Sequence, residues 1–152
     1  MRKIFIVFYM FLLLVLTACT NETDQVVESA VTQEEMSKED ALKYLEDMTF
    51  RLVEATFEED GSFEQKSVLH ATTAKVESTT AEIKEKHETS PLAEEIIEIG
   101  WSVELGVEKG LAGDFGLMEI HLSQVTEEVK EISAKYLDEE LPISIGVLEN
   151  NN

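Results

Sequence analysis

Six side chains, Met118, Leu122, Val125, Val129, Ile132 and Tyr136, recur at alternating spacings of four and three, and Glu119, Gln124, Glu127, Glu128, Lys130, Glu131 and Lys135 fill positions between them. A strand, with its period of two, would scatter this set over both faces. A helix lines it up as one apolar stripe. Asp114 stands ahead of the run as an N-cap, and Pro142 stands beyond it as a stop. The same spacing elsewhere in the chain therefore sets the fold class.

It recurs at Ala41, Leu45, Met48, Leu52 and Ala55. Ser37 with Asp40 three residues on resembles a capping box at the start of this segment, and Asp60-Gly61 is a stop signal at its end. Residues 63–88 carry the stripe Leu69, Thr73, Val76, Thr80, Ile83 and His87, half of it polar. One reading is a hydroxyl-lined interior at Thr73, Thr80 and His87 that holds a small polar ligand. The simpler one packs the Thr methyls inward while their hydroxyls bond the carbonyl one turn back.

The segment from Ser90 to Leu111 carries two patterns. Leu92, Ile96, Ile99, Val103, Gly106 and Gly110 make a helical stripe, whereas Ile99, Trp101, Val103, Leu105 and Val107 alternate as in a strand. The Ser90-Pro91 start, the length and the Glu residues on the opposite surface favour a helix. Gly100, Gly106 and Gly110 each lower helix propensity by about 1 kcal/mol relative to Ala. Close approach of a neighbouring helix is the expected compensation. Ile97, Trp101 and Leu105 then fall on a second apolar side of this helix. Burial against another neighbour is the expected fate of that side; left bare, it is a candidate partner-binding face.

Four amphipathic helices with short connections predict an all-α domain at 37–141, an antiparallel up-down four-helix bundle, with 142–152 as a tail. Ahead of it, 19–36 read as a flexible acidic tether.

The first residues set the expected location. Arg2 and Lys3 precede thirteen uncharged residues, Ile4 to Leu16, too few for a stable transmembrane helix of about 20 residues but suited to a signal peptide. The run ends Leu16-Thr17-Ala18-Cys19. That tetrapeptide resembles the lipobox of bacterial lipoprotein precursors at all four positions. The resemblance implies removal of residues 1–18, acylation of Cys19 and anchoring on the extracytoplasmic face of a membrane. Physical chemistry agrees: a single cysteine in an exported chain has no internal disulfide partner, and two acyl chains anchor stably where one does not. The stretch from "SPLAEEI" through "GLAGDFGLMEIHLSQV" also looks like paired helices of small lipoproteins of unassigned role in Bacillus-like bacteria. It implies a Gram-positive source, as the preference for Lys over Arg does, and no activity.

Losing residues 1–18 leaves 134 of the 152, one domain's worth, and takes Arg2 and Lys3 from the 12 basic residues, so ten Lys/Arg face 32 Asp/Glu for a net charge of −22. Such a chain repels nucleic acid and anionic head groups; a basic protein or peptide is the favoured partner.

Motifs for chemistry are missing. His70, His87 and His121 lie far apart, with no HxxxH or HExxH, and no GxSxG, glycine-rich phosphate loop or CxxC occurs. "EEDGSFE", Glu58 to Glu64, lacks the alternating ligand order of a calcium loop. The expectation is a non-catalytic interaction module without cofactor or metal; the alternative is a lipoprotein that binds a small ligand or cation.

Overall fold

The computed structural model describes residues 35–151, so Cys19, the lipobox and the tether up to residue 34 lie outside the described residues. These residues form an all-α helical bundle of five helices, with no strand among them. They are α1 Lys38–Ala55, α2 Phe63–His87, α3 Pro91–Leu111, α4 Phe115–Tyr136 and α5 Ile143–Asn151. The ambiguous stretch 99–107 is helix throughout, inside α3.

Local signals set the starts. The Asp40 amide donates to Ser37 Oγ at 3.1 Å, and that hydroxyl donates to the Asp40 carboxylate at 2.6 Å, a reciprocal cap on α1. Asp114 Oδ1 accepts from the Leu117 amide at 3.2 Å and caps α4. Ser90 holds the N-cap position of α3 without a side-chain cap bond, and Pro91 sets the first turn. Ser62 caps α2 through the Gln65 amide at 3.0 Å. The fully buried Gln65 then closes the α1–α2 turn: Gly61 N–H donates to its Oε1 at 2.8 Å and its Nε2 donates to the Ala55 carbonyl at 3.1 Å. Gly61 sits there at φ 75°, where a Cβ is strained.

Packing follows the stripes. Ala41, Leu45, Met48, Leu52 and Ala55 are wholly buried, as are Leu69, Ile83, Ile96, Val103, Val125 and Val129. Partners pair in reverse order along consecutive helices: Asp47 with Lys75 and Ala55 with Gln65 for α1 and α2, and Glu95 with Lys135 and Gly110 with Met118 for α3 and α4. α1 and α3 pair in the same order, Met48 beside Gly100 and Leu52 beside Gly106. The glycines permit this approach. A Cβ on Gly110 would lie 2.6 Å from Met118 Sδ and 2.8 Å from Leu69 Cδ1.

Two differences from the sequence reading concern the ends. Met36, placed in the tether, is 6% exposed and packs on the core, so the domain starts ahead of its first cap. Residues 143–151, placed in a tail, are helix α5, docked on α1 by the buried Ile145 and by Ser144. Between α4 and α5 the chain passes through Asp138 and Glu139 in the left-handed region (φ 53° and 66°). Lys38 holds this turn to the start of α1 through Asp138 and Glu140, both at 3.1 Å.

Candidate functional site

α1, α2 and α4 all pack against α3. They cover its inner side, where Leu92, Ile96, Ile99, Val103, Val107 and the three glycines are buried. The second apolar side is not covered. Trp101 is 57% exposed and Leu105 47%, with Ile97 half-buried beside them. Burial of Trp101 was the expectation, and the structure corrects it: α5 docks on α1 and leaves the outer side of α3 open.

Trp101 forms one wall of a shallow groove of about 290 Å³ between α2 and α3. Glu77, Thr80, Ala81 and Lys84 line it from α2, and Glu104 from α3. An indole beside two carboxylates and the Lys84 ammonium offers an apolar plate with a rim of net negative charge, which suits a side chain with an apolar stem and a cationic head.

The threonine seam is out of phase with the sequence reading. The buried positions of α2 are Gln65, Leu69, Thr72, Val76, Thr79, Ile83 and His87, so Thr72 and Thr79 face inward in place of Thr73 and Thr80, which are half-buried. Thr72 Oγ1 donates to the Val68 carbonyl at 3.0 Å, the back-bond that lets a threonine sit in a core. Thr80 joins the Trp101 groove, whereas Thr73 and His87 do not line it. His87 is buried edge-on to Tyr44, ring centroids 5.9 Å apart. Burial and the neighbouring Glu82 carboxylate push the Tyr44 phenol up, and its hydroxyl donates to Glu82 at 3.3 Å.

Two carboxylates near these helices are held in ion pairs. Glu95 takes Lys135 at 2.6 Å, and Glu82 takes Lys86 at 2.8 Å and Lys43 at 3.6 Å. The Lys86 bond is the main cause that holds Glu82 below the usual carboxylate range. Among the described residues no group of three His, Cys, Asp or Glu side chains is placed to hold a metal ion.

A second hollow was not legible in the sequence. It holds about 630 Å³ between the end of α1, α4 and α5. Phe57, Leu122 and Leu148 give it apolar walls, and Glu119, Glu127, Lys130 and Glu149 stand around them. α5 packs on α1, and its Glu149 pairs with Lys130 of α4 at 2.5 Å on the lining of this hollow.

Among the described residues no helix is long and apolar enough to cross a membrane. No family model, no curated protein and no solved structure matches this chain.

Proposed function

We propose that this chain is a lipoprotein anchored through Cys19 to the extracytoplasmic face of a membrane, and that its helical domain is a non-catalytic module for a basic, amphipathic protein partner. The observation that carries the docking half is the exposure of Trp101 and Leu105 one turn apart on α3, beside Glu77 and Glu104. Trp is among the residue types enriched at the energetic centres of protein interfaces. A partner helix that lays Leu and Lys side chains along α3 would bury the indole and meet the carboxylates at its rim. The excess of acidic over basic residues adds long-range attraction for such a partner. The anchoring half rests on the lipobox residues Leu16 to Cys19 and on the absence of a second cysteine.

Two measurements test it. Mass spectrometry of the N-terminal peptide from the native host is expected to find diacylated Cys19, and Cys19→Ser to move the protein out of the membrane fraction. A free thiol at Cys19 sinks the anchor. Titration with a Leu/Lys amphipathic peptide is expected to shift the Trp101 emission to the blue, with Leu105→Ser weakening the effect. An unchanged spectrum at low salt sinks the docking face.

A further inference from the structure

We propose that the hollow between α1, α4 and α5 is a binding site for a small amphipathic organic cation, an apolar body that carries an ammonium group. The proposal does not depend on the α3 face, which lies on other helices' surfaces and has its own groove. Its size, about 630 Å³, falls within the range of roughly 300–1,000 Å³ common for small-ligand sites. Its floor has the right character, since Phe57 is 59% exposed while Leu122 and Leu148 continue the apolar surface inward.

Charge decides the ligand class. Three carboxylates and one ammonium line the hollow. That ammonium, Lys130 Nζ, is held by Glu127 at 2.9 Å and by Glu149 at 2.5 Å. The protein thus already seats one primary amine between two carboxylates at the mouth of an apolar hollow, and the side chain that provides it is tethered to α4. Glu119, on the same wall, makes no ion pair among the described residues. A carboxylate ligand would face net repulsion, and a neutral one would gain nothing from Glu119. An amine with an alkyl or aryl body satisfies both surfaces: the body covers Phe57, Leu122 and Leu148, and the head group meets Glu119 or takes the seat of Lys130.

The test compares octylammonium, octanol and octanoate, which share a tail and differ in head charge, by calorimetry and amide NMR on the full chain. Octylammonium is expected to bind one-to-one and to shift the Leu122, Ser123 and Leu148 amides. Octanol is expected to bind at least tenfold more weakly, and octanoate not to bind. Phe57→Ala, at a position 59% exposed, is expected to weaken octylammonium roughly tenfold while leaving the fold intact by circular dichroism. Lys130→Gln, which frees Glu127 and Glu149, is expected to tighten it several-fold. Equal binding of octanol, no binding, shifts spread over the acidic surface, or an affinity insensitive to both variants overturns the proposal.

Discussion

Glu46 of α1 accepts two hydrogen bonds from a single residue of α5, from the Ser144 amide at 3.0 Å and from its hydroxyl at 2.8 Å. The amide belongs to the first turn of α5, where N–H groups lack helical partners and the helix carries partial positive charge. The same hydroxyl lies 2.9 Å from buried Thr49 Oγ1. One carboxylate thus caps α5 and fixes it to α1. Glu46→Ala is expected to destabilise the fold by about 1–3 kcal/mol, and to speed amide exchange through Ile145 to Leu148 before the rest of the domain. Unchanged exchange in α5 would show that its apolar contacts alone hold it.

Two glycines give opposite expectations for the same substitution. At Gly110 a methyl group meets buried Met118 and Leu69 at under 3 Å, and overpacking of about 1–3 kcal/mol exceeds the gain in helix propensity of about 1 kcal/mol. At Gly146, inside α5, nothing lies within 4 Å of the added Cβ. Gly110→Ala is expected to lower the melting temperature and Gly146→Ala to raise it. Urea denaturation of the two variants beside the parent checks both signs.

How much of this was readable depended on how local each cause is. Ser37 with Asp40, Ser90 with Pro91, Asp114 and the four-three stripes act within a few residues, and they placed α1, α3 and α4. α5 has no stripe of its own; what docks it is Glu46, 98 positions away. The stripe in α2 holds at Leu69, Val76, Ile83 and His87; only the threonines between them differ, because anchors seven residues apart are met equally by a residue three or four positions on. Trp101 was correctly placed off the seam of α3, but a sequence does not state how many neighbours surround a helix. The α1–α4–α5 hollow depends on α5 and was invisible for the same reason.

Glu95 links α3 to α4, and its titration has a definite sign. Burial alone would push its carboxyl up; the Lys135 ammonium and the Tyr136 hydroxyl outweigh that and hold it below its ordinary 4.5. A carboxyl with a depressed folded pKa contributes stability that is present above the unfolded value and lost as pH falls through the folded one. Lys135, raised chiefly by its bond to Glu95 and then by Tyr136, keeps its share below 10.5 and loses it only as pH rises past its elevated value. The pair is therefore intact between 4.5 and 10.5. Glu95→Gln is expected to be less stable than the parent at about pH 7, with the gap narrowing as pH falls below 4.5 and through the depressed folded value. A gap that persists in acid would trace the effect to packing instead.

Ser133 of α4 is 1% exposed, and its hydroxyl has no hydrogen-bond partner among the described residues. Its carbonyl accepts from the Leu137 and Glu139 amides, both at 3.0 Å, so the backbone there is satisfied and the hydroxyl is the sole uncompensated group of the residue. A buried unpaired hydroxyl costs about 1–3 kcal/mol. Ser133→Ala removes it with little change of volume and is expected to stabilise the domain, seen as a higher urea midpoint. A lower midpoint would mean that a water satisfies the hydroxyl.

Trp101 and Val103 sit two residues apart on α3 and separate docking from stability. Val103 is wholly buried between the helices, and truncation to Ala there is expected to cost about 1–3 kcal/mol through lost burial and the void left behind. Trp101, more than half exposed, contributes less to the fold for all its size, and Trp101→Ser with Leu105→Ser is expected to move stability by less than about 0.5 kcal/mol per site. The double variant should nevertheless lose binding of a Leu/Lys peptide, whereas Val103→Ala should retain it at temperatures where it remains folded. A large loss of stability in the double variant would make the indole part of the core's support, and its exposed face would then need no partner to explain it.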